Sequence, residues 1–308
     1  MTSPEGSPES LRPTSAEIAA AIVLLADDRG PVQAAARDRL LRWGSDAVGP
    51  LREAAEAEHI RTRAQSRALL RTMEVHELLR RFAGLRLDGD GRGVGGHNAP
   101  MPLLNGAVHL AQIVRTFGPE ANELARRLRA EARLLKKRFE GRSLSVCARL
   151  LAERLHGELG LHGEPGLSSE SSGDDGDRIE LDHVLVDRVL GRGAGIPVSL
   201  SLVYLLVARW AGLSAAGVAL PDHFLVRLHG IRPVLVDPFH AGRTVTKADC
   251  ARYLRSRGYG SVQERLRDLS DREFLIHYLR GLQRAARNRA VPEARQGLGK
   301  ALLMLEAQ

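Results

Sequence analysis

The sequence is poor in cysteine and in aromatic residues: its 308 residues include two cysteines, and aromatic side chains make up 4%. Cys147 and Cys250 lie far apart, and neither belongs to a Cys-x-x-Cys pair or a Cys/His cluster. These absences argue against a disulfide framework and a structural zinc site, and favour a reducing, cytoplasmic compartment. Because aromatic residues are so few, we expect a core built mainly from leucine, valine and alanine.

Motifs for cofactors, metals and membrane insertion are also lacking. The Gly-rich stretch RLDGDGRGVGGHN begins like a calcium loop, but Ala99 occupies the twelfth position, where a glutamate is required. The opening stretch MTSPEGSPESLRPTS is polar and acidic, unlike a signal peptide. Gly212 and Ser214 interrupt the most apolar stretch, Pro197–Leu220, which therefore predicts a buried helix followed by a strand. We expect no metal, no cofactor and no membrane span.

Positive charge is in excess, with a formal net charge of +8 and a pI near 10.1. The excess is concentrated in two stretches that look helical, Arg126–Arg142 and Arg252–Arg295. Neither stretch carries the interleaved aromatic residues on which bases stack, so solvated helix faces are favoured over nucleic-acid binding. A nucleic acid or another polyanion stays open as an alternative partner of these Arg-rich helices.

Helical segments alternate with low-complexity loops along the chain. The predicted segments are 1–15 (disordered), 16–85 (HEAT-like helices), 86–100 (Gly-rich linker), 101–260 (central domain, with a disordered loop at 160–178) and 261–308 (a tetratricopeptide-like helix pair). The HEAT-like segment amounts to about one and a half repeats, whereas such stacks normally need several. A plain helical hairpin explains that segment equally well.

Two β-rich runs in the central domain, FLVRL and PVLVD, predict a hairpin that carries a histidine and an aspartate. With Gly230 at the centre of the turn, His223 lies directly opposite Asp237, and their Cβ atoms are about 5 Å apart on one face. An aspartate in this position orients an imidazole and stabilises its charged form. The direct pairing depends on the register, because a shifted turn breaks it.

The run HVLVDRVLGRGAGIPVSLSLVYLLVARWAGL, followed by PDHFLVRL and VLVDPFHAG, resembles the transglutaminase-like superfamily. The resemblance is to the bacterial branch named after the Sir B protein, with the pattern N-S-x-L-x-x-V-L-x-R-R-x-G-[IN]-P-[IV]-S-L, then P-G-H-F and D-P-F-x-x-G. It implies an α+β fold, a mainly helical chain around a papain-like core in which a buried helix packs on a small antiparallel sheet. It also implies a nucleophile at the N-terminus of that helix, where the helix dipole stabilises a thiolate or alkoxide.

The nucleophile itself is missing. Alignment on the Gly-x-Cys of active transglutaminase-like enzymes places Pro197 at the cysteine position, and the Sir B branch normally has proline there too. Ser199 is the remaining candidate nucleophile, and it completes a candidate triad with His223 and Asp237. The alternative role of Ser199 is to satisfy backbone groups at the start of the helix.

Further departures from the branch pattern weaken the case for an ancestral function. Asn, Arg and Gly of the pattern are replaced by His183, Gly193 and Asp222, respectively. The carboxylate of Asp222, next to His223, either favours the imidazolium form and competes with Asp237 for it, or simply faces solvent, and the sequence leaves both roles open.

Three functions stay open, and whether the protein is an enzyme is undecided, with the balance towards no activity. We favour a non-catalytic module that binds another protein or a peptide. Its candidate groove residues are Pro197, Asp222, Phe224, Arg227 and Phe239. The first alternative is a Ser-dependent hydrolase or acyltransferase that uses Ser199, His223 and Asp237. The second alternative is a regulator that binds a polyanion.

Overall fold

A computed structural model describes residues 12–85, 87, 100–115, 118, 120–167, 178–260, 264–287 and 290–307. The chain divides into two compact units, Met1–Glu77 and Leu78–Gln308. The division falls within one long helix, Ile60–Ala83. Among the described residues, no helix combines the length and the apolarity that crossing a membrane requires.

The first unit is helical. Its helices are α1 (Ser15–Leu24), α2 (Gly30–Trp43), α3 (Ser45–Ala54) and the first part of α4 (Ile60–Ala83). Thr14 and Glu17 form a capping box that satisfies backbone N–H groups at the start of α1. Leucine, isoleucine and alanine side chains from all four helices, including Leu25, Leu40 and Leu51, form the buried core. The HEAT-like interpretation stays a prediction, since a plain helical bundle buries the same residues.

The second unit combines helices with two small sheets. Its helices are α5 (Pro100–Val114), α6 (Ala121–Phe139), α7 (Leu144–Ala152), α8 (Leu181–Val184), α9 (Val186–Arg192), α10 (Pro197–Trp210), α11 (Lys247–Ser256), α12 (Asp271–Ala286) and α13 (Pro292–Glu306). Its strands are β1 (His162–Gly163), β2 (Ala194–Gly195), β3 (Ala215–Leu220), β4 (His223–Leu228), β5 (Val234–Asp237) and β6 (Arg243–Val245). A π-helical turn, Glu153–Glu158, continues α7.

The core of this unit is α10 packed on an antiparallel sheet with the strand order β3-β4-β5-β6. Every residue from Pro197 to Arg209 is buried, because the sequence of α10 is apolar on nearly all faces. Pro197 occupies the first turn, where a missing N–H leaves no hydrogen bond unmade. This arrangement confirms the predicted α+β fold class, a mainly helical chain around a buried helix on a small antiparallel sheet.

The register of the β4–β5 hairpin differs from the predicted one. Leu228 pairs with Val234, so the turn is centred on Ile231 rather than on Gly230. Pro233 has no N–H to give to the ladder, and pairing accordingly begins at Val234. Ile231 stands at the tip, fully exposed to solvent.

The predicted direct pairing of His223 with Asp237 is therefore wrong. In the observed register, Asp237 lies across from Leu225, two residues further along β4. Because the shift is an even number of residues, His223 and Asp237 still point to the same face of the sheet. They are diagonal neighbours, which long side chains bridge readily.

The predicted disordered segments fall only partly within the structure. Residues 1–11, 86, 88–99 and 168–177 lie outside the described residues. At the start of the loop predicted for 160–178, however, β1 pairs in parallel with β2, and Leu161 is buried. Glycine at position 163 allows this strand to pack closely on Phe239. A Cβ there would come within 2.7 Å of the ring and of the backbone carbonyl oxygen of Phe239.

The last two helices are part of the second unit, where α12 packs on α5, α8 and α13. Arg209 ties the end of α10 to α12, with two hydrogen bonds of 2.9 and 2.8 Å to the carboxylate of Asp271. The Arg209 side chain is buried, so this bidentate ion pair is one of the main links between the core and its helical flank. The tetratricopeptide-like interpretation of 261–308 stays a prediction.

Candidate functional site

A buried histidine–aspartate pair lies at one end of the antiparallel sheet. His223 is the first residue of β4, and Asp237 is the last residue of β5. The Nε2 of His223 donates to the Oδ1 of Asp237 at 3.0 Å, and the two side chains are 5% and 3% exposed. The carboxylate thereby fixes the tautomer and the orientation of the imidazole. The two residues meet as the sequence predicts, although their predicted role in catalysis is a separate question.

A second histidine, His240, completes the hydrogen bonding of Asp237. Its Nδ1 donates to the Oδ2 of Asp237 at 2.8 Å, and its backbone N–H donates to the Oδ1 at 3.2 Å. Sequence reasoning missed His240. The available signal was its position three residues after the aspartate in the Asp-Pro-Phe-His turn, where an Asx-type bond to the backbone is common.

The pKa of Asp237 lies below its ordinary value. Burial alone would raise the pKa, but the hydrogen bond and charge of His223 lower it, and His240 adds to that effect. The Nη2 of Arg243, in β6, lies 3.7 Å from the Oδ2, on a side chain that is mostly exposed. Asp237 is therefore a carboxylate at neutral pH, held between two imidazole rings.

Aromatic rings enclose His223. Phe239 meets the imidazole edge to face, with ring centroids 5.9 Å apart, and Tyr253 of α11 lies at 6.2 Å. The Nδ1 of His223 is buried and has no hydrogen-bond partner in the described structure. Because the bond to Asp237 uses Nε2, Nδ1 is the ring nitrogen left to make a further hydrogen bond.

Further polar groups lie beneath the turn that follows Asp237. The Tyr204 hydroxyl of α10 and the ring of His156, in the π-helical turn, both lie against the Cα of Gly242. The Tyr204 hydroxyl and the His156 Nε2 are buried and have no hydrogen-bond partner among the described residues. Burial raises the pKa of Tyr204 and lowers that of His156, so both are neutral at pH 7.

The position expected for the nucleophile contains no nucleophilic side chain. Pro197 occupies the start of α10, as the sequence predicts. Ser199 is completely buried, and its hydroxyl donates to the carbonyl oxygen of Val184 at 3.0 Å. Neither ring nitrogen of His223 is hydrogen-bonded to Ser199. The structure therefore brings together two members of the candidate triad and not the third.

Neither of the two cysteines lies at the position expected for the nucleophile, the start of α10. Cys147 lies in α7 and Cys250 in α11, and both are buried. Burial raises the pKa of each thiol, which keeps both in the unreactive protonated form.

The side chain of Asp222 faces solvent. It occupies the tight turn between β3 and β4 with a left-handed backbone (φ 55°), which leaves its side chain two-thirds exposed. Its carboxylate faces Arg257, with 3.6 Å between Oδ2 and Nη1. Of the two roles that the sequence left open, the structure therefore favours the solvent-facing one, because the turn directs the Asp222 side chain towards solvent and Arg257.

The other predicted groove residues lie on different surfaces. Phe224 points to the opposite face of the sheet from His223, where its ring meets Phe274 and His277 of α12. Arg227 shares the face of His223 but lies near the far end of β4. A single groove that contains all five predicted residues is therefore wrong, because adjacent strand residues face opposite sides.

Arg227 does line a groove of about 620 Å³. The lining residues are Arg227, His229, Gly230, Pro233, Lys247, Leu266 and Asp268. Arg227 donates to the carbonyl of Leu266 at 2.6 Å and forms an ion pair with Asp268, which anchors the hairpin to the segment that precedes α12. Lys247, at the first turn of α11, is exposed. The groove thus combines three basic side chains with one acidic side chain that is already paired.

Three side chains of the site could hold a metal ion. One donor atom each from His223, Asp237 and His240 lies within 4.8 Å of the other two. Two imidazoles and one carboxylate are a donor set that divalent transition metals accept. The sequence did not predict this cluster, because His240 was not recognised.

The family follows from a comparison with known families. A family model of the Transglutaminase-like superfamily matches residues 119–280, more than half of the chain. The matched region contains α10, the antiparallel sheet, the His223–Asp237 pair and most of α12. The chain therefore belongs to the transglutaminase-like superfamily.

Similarity to individual proteins is confined to parts of the chain. A UPF0162 protein from Xylella fastidiosa is 34% identical over 104 residues, which cover 32% of this chain and 37% of the relative. A UPF0162 protein from Vibrio cholerae serotype O1 is 31% identical over 149 residues, 46% of this chain and 49% of the relative. F-box only protein 21 from Homo sapiens is 34% identical over 77 residues, 22% of this chain and 12% of the relative. The matches thus span half or less of these relatives, and no solved structure matches the chain.

Proposed function

We propose that this protein is a non-catalytic transglutaminase-like module that binds an acidic peptide segment of another protein. The observation that carries the proposal is the intact His223–Asp237 pair without a nucleophile. In the terms of the sequence pattern, it is a member of the Sir B branch in which the ancestral core serves as a scaffold.

The chemistry of acyl transfer supports a loss of activity. A covalent mechanism needs a hydroxyl or thiol within hydrogen-bond reach of the base that takes its proton. Pro197 has no such group. The buried hydroxyl of Ser199 already donates a hydrogen bond to the carbonyl oxygen of Val184. To act as nucleophile, Ser199 would have to break this bond and leave a buried carbonyl oxygen without its partner.

The groove beside Arg227 is the surface best suited to a ligand. Its volume of about 620 Å³ is within the range of binding pockets, roughly 300–1,000 Å³. Asp268 is paired with Arg227 and lies 3.4 Å from the Nε2 of His229, so this pair adds no net charge to the groove. Lys247 adds a cation at the N-terminus of α11, where the helix dipole also favours negative charge.

This charge distribution favours an acidic partner. Glutamate and aspartate side chains, or a peptide carboxylate, would pair with Lys247, while Pro233 and Leu266 provide apolar contact. The HEAT-like and tetratricopeptide-like helices are proposed as additional protein-contact surfaces. Their short length fits docking elements better than complete solenoids.

Fluorescence anisotropy with a labelled glutamate-rich peptide tests the proposal. We expect saturable binding by the full chain that weakens as salt increases, because exposed charges are screened. Lys247→Glu reverses one of the groove charges and is expected to weaken binding at least about tenfold. Lys300→Glu, which replaces another exposed lysine, on α13, is the matched control and should bind as the wild type does.

Three results would contradict the proposal. They are equal affinity for a glutamate-rich and a lysine-rich peptide, equal loss in the Lys247 and Lys300 variants, and no binding at millimolar peptide. Tight binding of a single-stranded oligonucleotide that Lys247→Glu leaves unchanged would instead favour a polyanion surface on the Arg-rich helices.

A further inference from the structure

We propose that His223, Asp237 and His240 form a binding site for a divalent transition-metal ion of the Zn²⁺ type. The proposal rests on the convergence of two imidazole nitrogens on the two oxygens of one buried carboxylate. It goes beyond the proposed binding function and does not depend on it, because the groove beside Arg227 lies towards the other end of β4.

The distances between donor atoms fit a metal site. With metal–ligand distances of about 2.0–2.2 Å, two donors on a tetrahedral ion lie roughly 3.3 Å apart. The observed separations are 3.0 Å from His223 Nε2 to Asp237 Oδ1 and 2.8 Å from His240 Nδ1 to Asp237 Oδ2. The three donors lie within 4.8 Å of one another, so the exposed His240 ring must move towards His223 by up to about 1.5 Å to bring both nitrogens onto one ion.

The backbone holds the three ligands in fixed positions. His223 and Asp237 lie at the ends of neighbouring strands. The turn that carries His240 is closed by a bond of 2.9 Å from the Gly242 N–H to the Asp237 carbonyl. Within this turn Ala241 has a left-handed backbone (φ 56°), which a residue with a Cβ adopts at a cost and which is common at functional sites.

The burial of the ligands leaves one side accessible. The side chains of His223 and Asp237 are almost completely buried, whereas that of His240 is 36% exposed. An ion therefore reaches the carboxylate past His240, and a water molecule completes its coordination on the same side. Three protein ligands and one open position are typical of zinc sites that are not fully closed.

Two features limit the affinity. When Nε2 of His223 binds the ion, the ring proton moves to Nδ1, which is buried with no acceptor among the described residues. Ligating histidines usually donate this second N–H, and losing such a partner weakens metal binding about tenfold to hundredfold. The guanidinium of Arg243 must also turn outwards, which its exposure allows. We therefore expect micromolar rather than picomolar affinity.

The donor set discriminates between metals. Two imidazoles favour Zn²⁺, Co²⁺ and related ions, whereas Ca²⁺ and Mg²⁺ prefer oxygen ligands. A bound ion would crosslink the turn after β5 to β4 and so stabilise the end of the sheet.

Titration of the full chain, after dialysis against a chelator, tests the site. We expect one equivalent of Co²⁺ to produce the visible absorption of a low-symmetry imidazole–carboxylate complex, and Zn²⁺ to displace it. Isothermal titration should give a 1:1 stoichiometry. His240→Ala is expected to weaken binding at least about tenfold. His59→Ala, which removes an exposed histidine of the first unit, is the matched control.

His240→Gln provides a second variant, because glutamine can still donate to Asp237 Oδ2 but offers no imidazole. Far-ultraviolet circular dichroism verifies that both variants are folded. The proposal is overturned if the wild type binds no Co²⁺ or Zn²⁺ at 100 times the expected micromolar range. It is also overturned if His240→Gln binds as tightly as the wild type, or if Mg²⁺ competes as well as Zn²⁺. None of these results depends on peptide binding at the groove.

Discussion

Replacing Gly242 with alanine tests how tightly the turn after Asp237 is packed on the core. Gly242 has a left-handed backbone with φ of 68°. A Cβ at this position would overlap the Tyr204 hydroxyl and lie 2.6 Å from the Cβ of Ala152 and 3.1 Å from the His156 ring. Tyr204 lies on the buried helix α10, and Ala152 and His156 lie on the half-buried side of α7 and its π-helical turn, so the Tyr204 side in particular leaves little space.

Two penalties add in the Gly242→Ala variant. The left-handed conformation costs about 1–2 kcal/mol for a residue with a Cβ. Forcing an extra methyl group into a packed interior costs typically 1–3 kcal/mol more. Gly141 provides a matched control, because its φ is 67° but a Cβ there would meet nothing within 4 Å.

Urea unfolding of both variants separates the two penalties. Gly141→Ala should lose only the backbone contribution, about 1–2 kcal/mol. Gly242→Ala should lose about 1–3 kcal/mol more than Gly141→Ala. If the two variants have the same free energy of unfolding, the turn is not packed against α7 and α10 as described, and the geometry assigned to His240 is wrong as well.

Three further predictions concern buried charge. Asp237→Asn should destabilise the protein by about 1–3 kcal/mol in urea unfolding, because an amide cannot accept from both imidazoles, and an unchanged midpoint would contradict this. Stability should fall with decreasing pH in two stages. Burial lowers the pKa of His156, and likewise those of His109, His183 and His277, so their combined contribution is present above pH 6.5 and lost below it. The lowered pKa of Asp237 gives a second contribution, lost below about pH 4. A free energy of unfolding that is constant from pH 7.5 to 3 would refute this assignment. Arg209→Ala should cost about 3–5 kcal/mol, since it leaves Asp271 without its buried partner, and a loss below 1 kcal/mol would show that the pair is effectively solvated.

The main elements of the core could be predicted from the sequence, because each is indicated by a short continuous run of residues. The apolar run after Pro197 and the two β-rich runs before and after Gly230 each determine one element. Their combination in a known order identified the superfamily and the fold class. The prediction that His223 and Asp237 share one face of the sheet is correct although the predicted register is not, because a shift of two residues keeps a side chain on the same face.

The environment of the site could not be read in the same way. The bond from Ser199 to the Val184 carbonyl joins residues on different helices, so no local spacing indicates it. His240 contributes through a turn whose geometry depends on close packing beneath Gly242. The groove beside Arg227 forms between the hairpin and the segment before α12, and its lining is therefore a property of the tertiary structure.

The central claim is that the His223–Asp237 pair has no nucleophile to activate. Intact-mass analysis after incubation with a serine-directed fluorophosphonate and a cysteine-directed iodoacetamide tests it most directly. The native chain is expected to gain no adduct, and the denatured chain should gain two iodoacetamide adducts, one at Cys147 and one at Cys250, which verifies the reagent. A single fluorophosphonate adduct on the native chain that is lost in both Ser199→Ala and His223→Ala would contradict the claim and identify a working triad.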